Sequence, residues 1–168
     1  FALATFYIRE VAVPRYAATT RLVIEAQDRN VVDIESVVSG MSTSTTSINT
    51  ELSIITSRGM IEKLVRDLEL YKDPEFNNAI AQPPRYSRGW IRQQIRSLIT
   101  GETPQVPDQT VEEAVQSSIG RTARAVRATS VSSTLLIDIT VTTENRRKSA
   151  VIANRLAEHY IDAQVENK

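Results

Sequence analysis

The chain has one histidine, His159, which stands beside Glu158 with Asp162 three residues on, so the three could lie along one helix turn. Such a group could bind a metal or pass a proton. A metal site needs more ligands, however, and a proton-transfer site needs a partner that the sequence does not offer, so His159 is expected at a surface or an interface. Asp138 lies in an apolar run and could be a buried carboxylate, but alternation assigns it to the solvated face of a strand. The chain contains 0 Cys, which removes thiol nucleophiles, disulfides and cysteine-based zinc sites. Its glycines, at 40, 59, 89, 101 and 120, are scattered singly, so neither a P-loop nor a dinucleotide fingerprint is present. There is no Gly-x-Ser-x-Gly elbow either. No catalytic residue, cofactor or metal is expected.

Two basic clusters remain. Arg85, Arg88, Arg92 and Arg96 stand in a stretch without an acid from Arg85 to Thr100, and the last three share a helical face beside Ile91, Ile95 and Ile99. Arg88, Arg92 and Arg96 are candidates for contact with lipid headgroups or an anionic polymer; the commoner alternative is a solvated face paired with acids elsewhere. The second cluster, Arg146-Arg147-Lys148, opens the last helix, where the helix dipole disfavours each cation by a few tenths of a kcal/mol. That choice invites a partner, either a neighbouring subunit's acids or Glu144. Lys and Arg total 20 against 20 Asp and Glu, so no overall field draws the chain to nucleic acid. The charge is uneven, at net −3 over residues 1–84 and net +3 over 85–168. Aromatics are only 5%, which weakens any sugar-stacking cleft; a ligand-binding module would need a pocket near Tyr86 and Trp90.

The elements that must position these residues fit one domain of 168 residues. Alternation predicts a strand from Tyr16 to Gln27 and another over Leu135 to Thr142, with Arg121 to Thr129 extended before it and Ser130 to Ser133 as the turn of a hairpin. The Ser/Thr-rich tract from Ser39 to Thr50 reads as a solvated loop running into a helix start. From Ser47 to Leu70 the apolar stripe changes sides around Ser57-Arg58-Gly59, which implies either a bend at Gly59 or burial against two partners. Asp73-Pro74-Glu75 signals a short helix stopped by Pro83-Pro84. Asp108 or Thr110 can cap the next helix, and Thr110-Val111-Glu112-Glu113 fits a capping box, followed by the stripe Val111, Val115, Ile119. Asn145 to Lys168 runs without Gly or Pro, with Ala153, Leu156, Tyr160 and Ala163 along one face. The expected fold is α+β, with a small, mostly antiparallel sheet covered by helices and a last helix that leaves as a stalk or coiled coil. Phe1 to Ile8, uncharged and apolar, is too short to span a bilayer and reads as a strand, a core helix or a truncated apolar tail.

Several segments in order resemble the periplasmic domain of the polysaccharide co-polymerases, the Wzz-type chain-length determinants, especially their exopolysaccharide-export branch. They are Pro14-Arg15-Tyr16-Ala17-Ala18, Glu51 to Arg58 leading into Leu68-Glu69-Leu70, Asp73-Pro74-Glu75-Phe76-Asn77, and Ala150 to Ala157 followed by Tyr160-Ile161. The resemblance implies an inner-membrane protein whose two spanning helices bracket this domain. Residues 1–8 would be the tail of the first, 9–144 the periplasmic domain, and 145–168 the start of a long helix. It further implies a homo-oligomeric ring that controls polysaccharide chain length and supports export, with a Wzy-type polymerase and an outer-membrane export protein as partners. Many relatives of this kind carry a cytoplasmic tyrosine kinase domain, whose nucleotide loop this chain lacks, so the chain itself is expected to be no enzyme. Arg146, Arg147, Lys148 and Tyr160 are the expected subunit contacts. The rival expectations are a periplasmic polysaccharide-modifying enzyme, which would need paired carboxylates facing one cleft, and a stand-alone ligand-binding module.

Overall fold

Alternation along Leu136–Thr143 builds the centre of the domain. Every second residue of this strand, Ile137, Ile139, Val141 and Thr143, is buried, while Leu136, Asp138, Thr140 and Thr142 face the other way. A computed structural model describes residues 13–24, 40–81, 95, 109–131 and 134–166. The described elements are β1 (Tyr16–Val23), α1 (Gly40–Ile55), α2 (Arg58–Asp67), a single 3-10 turn (Leu70–Lys72), α3 (Val111–Ala125), β2 (Val126–Ser130), β3 (Leu136–Thr143) and α4 (Arg146–Glu166). The strands form one antiparallel sheet in the order β1-β3-β2, so the fold is α+β as expected. Register sets Leu22 opposite Ile137 and Val126 opposite Val141 on the inner face, and Arg21 opposite Asp138 on the outer.

The inner face is closed by α4, with α2 and α3 packed beside it. Ile137, Ile139 and Val141 share one core with Ile152, Ala153 and Leu156 of α4, Ile61, Leu64 and Val65 of α2, and Val115 and Ile119 of α3. Burying each large aliphatic side chain contributes roughly 1.5–3 kcal/mol, which makes this shared core the main source of stability. The last helix is therefore part of the domain and does not leave it as a stalk over the described residues. Asn145 starts it, its Oδ1 accepting from the N–H groups of Arg147 (2.9 Å) and Lys148 (3.3 Å). At its far end Gln164 donates to Glu51 of α1 (3.0 Å).

Several local expectations are corrected. The backbone is helical from Gly40, so most of the Ser/Thr tract is helix and not loop. The stripe changes sides because the helix is interrupted at Thr56-Ser57, not bent at Gly59. Ser57 has extended backbone, and its side chain accepts from Met60 N–H, which caps α2; Gly59 lies inside that helix with open space where a Cβ would be. After Asp73 the described residues to 81 form turns, at 74–76 and 78–80, and no helix; residues 82–84 of the expected helix lie outside the described residues. Asp73 accepts from Glu75, Phe76 and Asn77 N–H groups, but Asn77 then turns its Oδ1 to Ala79 N–H (3.0 Å) and its Nδ2 to Tyr71 carbonyl (2.8 Å). Side-chain bonds of this kind replace the helical ladder.

Residues 121–125, expected to be extended, instead complete α3. The capping box is present as expected, with Thr110 N–H donating to Glu113 (3.1 Å) and Glu113 N–H to Thr110 (3.3 Å). The buried face then continues beyond Ile119 through polar residues: Ser118 and Thr122 are fully buried, and their hydroxyls donate to the carbonyls of Ala114 and Ser118. Val111, assigned to the apolar stripe, is 59% exposed. Residues 1–12, 25–27 of the first expected strand and the expected turn residues 132–133 lie outside the described residues.

Candidate binding cleft

The chain folds a cleft of about 1080 Å³ where the end of β3, the last turns of α3 and the segment 73–81 meet. Pro74, Phe76, Ile80 and Ala125 supply its apolar wall, Asn78 and Thr142 its neutral polar groups, and Arg15, Arg121 and Arg124 its cations. Arg124 has a local reason: in the last turn of α3, arginine complements the helix dipole. Arg121 is held in place by donating to the Glu75 carbonyl (3.0 Å) and to Asn78 Oδ1. Arg15 and Arg124 are exposed and have no side-chain partner among the described residues.

Two carboxylates also line the cleft, and they differ. Both oxygens of Glu75 are engaged, Oε1 by Glu144 N–H (2.8 Å) and Oε2 by Lys148 Nζ (2.9 Å). Glu144 is exposed and its carboxylate has no partner among the described residues. The arrangement therefore offers no pair of free carboxylates for acid–base work. It suits binding.

Lys148 is fixed within its own chain. Its Nζ lies 2.5 Å from Asp73 Oδ2 and 2.9 Å from Glu75 Oε2, and 5.6 Å from the centre of the Phe76 ring. Burial pulls its pKa down, but hydrogen bonds from the two carboxylates outweigh that and raise it. A cation at a helix start thus finds acids from the 73–75 turn of its own chain, and not the Glu144 carboxylate. Arg146 and Arg147 are exposed without side-chain partners among the described residues. Tyr160, expected at a subunit contact, is only 5% exposed because its ring belongs to the core; its hydroxyl donates to Glu51 Oε2 (2.9 Å). Burial, then the Glu51 hydrogen bond, pushes the phenol up to about 12.

His159 is buried, at 5% exposure, and not on the surface. It does not join Glu158 and Asp162, which are exposed; its Nε2 lies 3.1 Å from Asp67 Oδ2 of α2, and Arg155 Nε approaches the same oxygen at 2.5 Å. Facing a carboxylate oxygen, Nε2 is the donor of that bond, and Nδ1 is buried without a partner among the described residues. Asp138 takes the solvated face as expected, accepting from Arg21 at 2.7 and 2.9 Å; that hydrogen bond lowers its pKa. Arg88, Arg92, Arg96, Tyr86 and Trp90 lie outside the described residues. Sequence reasoning missed the cleft because its cations come from positions 15, 121 and 124, and the i, i+3 relation of the last two is visible only once 121–125 is helix.

Among the described residues, no group of His, Asp and Glu is placed to hold a metal ion, and no helix is long and apolar enough to cross a membrane. No protein-family model, curated protein or solved structure matches this chain.

Proposed function

We propose that this chain is the periplasmic domain of an inner-membrane polysaccharide co-polymerase of the chain-length-determinant type, acting without chemistry of its own. It works as a packing unit in a homo-oligomer beside the membrane, and the geometry of that assembly, with a Wzy-type polymerase and an outer-membrane export protein, sets polymer length. The observation that carries the reading is where the resembling segments fall. Glu51 to Arg58 spans the α1–α2 joint, Leu68-Glu69-Leu70 the left-handed turn after α2 (Glu69 φ 51°), Asp73 to Asn77 the turn that holds Lys148, and Ala150 to Ala157 the core face of α4. These are the joints that define the domain's shape, as a scaffold requires.

Deleting the gene in its host and sizing the secreted polysaccharide tests this. A shifted or broadened length distribution, restored by the intact gene, is expected; an unchanged distribution would sink the reading. The cleft favours a second reading, a stand-alone ligand-binding module. That reading gains if deletion leaves chain length untouched while the isolated chain still binds oligosaccharide.

A further inference from the structure

We propose that the cleft bounded by Arg15, Arg121, Arg124 and Glu144 binds a segment of acidic sugar chain, a glycan carrying carboxylates and free hydroxyls. This deepens the polysaccharide reading above and rests on it for the identity of the polymer. The anion selectivity comes from the cations. Three guanidinium groups line one concave surface, Arg121 anchored and Arg15 and Arg124 unpartnered among the described residues. Of the two acids beside them, Glu75 is fully engaged by Lys148 and the Glu144 N–H. Planar guanidinium groups pair with carboxylates through two parallel hydrogen bonds, so the unengaged arginines are suited to successive carboxylates on one chain.

The remaining free acid selects among anions. Glu144 repels every anion, a doubly charged phosphate more strongly than a single carboxylate, and accepts hydrogen bonds from hydroxyls; Asn78 and Thr142 on the same lining can serve hydroxyl groups as well. A ligand with both carboxylates and hydroxyls satisfies the whole lining; a bare phosphate satisfies half of it. Size points the same way. Ligand pockets for drug-sized molecules run from about 300 to 1,000 Å³, so a cleft of about 1080 Å³ has room for several sugar rings and far exceeds a single ion.

The test is titration of the full chain with oligogalacturonate, followed by calorimetry and by NMR shifts of the cleft residues. Maltooligosaccharide, inorganic phosphate and phosphatidylglycerol vesicles are the comparison ligands. Oligogalacturonate should bind with an affinity that falls as salt rises, and the R15A/R124A variant should weaken it about tenfold or more while melting like the wild type. E144Q should raise phosphate affinity by a larger factor than it raises oligogalacturonate affinity. Absence of oligogalacturonate binding, equal binding of maltooligosaccharide, undiminished binding by R15A/R124A, or binding of phosphate or vesicles alone would each overturn the proposal. Those results leave the chain-length experiment standing, so the two ideas fail separately.

Discussion

Lys148 joins α4 to the turn at residues 73–76 through one nitrogen. Replacing it by Met removes a cation while Asp73 and Glu75 remain half-buried and adjacent, so K148M should lose about 1–3 kcal/mol in urea melts at pH 7. The pH dependence has a definite sign. A raised folded pKa means that this contribution is complete below the ordinary Lys value of 10.5 and fades as pH rises through the higher folded value. Tyr160 acts in the same direction. From the ordinary 10.0 up to about 12 the unfolded phenol ionises while the folded one does not, which favours unfolding. Melts between pH 8 and 11.5 should show stability falling steeply above about pH 10 in the wild type and less steeply in K148M/Y160F. Equal slopes in the two proteins would refute both assignments. A second buried junction, Ser149, donates to Tyr16 carbonyl (2.7 Å) and accepts Thr143 N–H (3.2 Å), which ties β1, β3 and α4 at one point. Nothing in the sequence around Ser149 distinguishes it from a surface serine.

At the scale of elements, caps decide where helices begin; the Thr110 capping box was legible in the sequence, whereas the Ser57 and Asn145 caps were not. T110A removes the hydroxyl that accepts Glu113 N–H and should cost about 1 kcal/mol, measured as a lower midpoint with an unchanged denaturant slope. Gly59 and Gly120 supply a test of the helix joint. Both sit within helices with open space where a Cβ would stand. G120A should therefore stabilise by about 0.5–1 kcal/mol, and G59A by a similar or smaller amount. A bend at Gly59 would instead make G59A destabilising, so its sign separates the Ser57 cap from a glycine hinge. The element misread from sequence, the second half of α3, was missed for a physical reason. Its buried face past Ile119 is carried by Ser118 and Thr122, whose hydroxyls are satisfied by the helix's own carbonyls, so polarity concealed a core face.

For the whole molecule, assembly is the property to test. Arg146 and Arg147 are exposed and unpartnered among the described residues, whereas Lys148 and Tyr160 serve the chain's own core. On the proposed homo-oligomer, R146E/R147E should change oligomer size in sedimentation or crosslinking, while the melting of the domain shifts by no more than about 0.5 kcal/mol. An oligomer distribution identical to the wild type would remove these two arginines from any subunit contact.

The sequence by itself determined the features that depend on near neighbours. Alternation from Leu135 to Thr142 marked a strand, its inner face and the exposed place of Asp138; Thr110 and Glu113 marked a capping box at the start of α3; the 3-4-3 spacing of Ala153, Leu156, Tyr160 and Ala163 marked an apolar face of α4, though not that Ala153, Leu156 and Tyr160 bury it in the domain's own core. Tertiary structure alone decided which distant groups meet. It paired Lys148 with Asp73 and Glu75, His159 with Asp67 and Tyr160 with Glu51, and brought Arg15 to Arg121 and Arg124 around one cleft. Periodicity specifies the direction a side chain takes from its own backbone, because a helix or strand fixes it within a few residues. It carries no information about what the facing element presents, which depends on how the α2, α3 and α4 faces pack against the sheet.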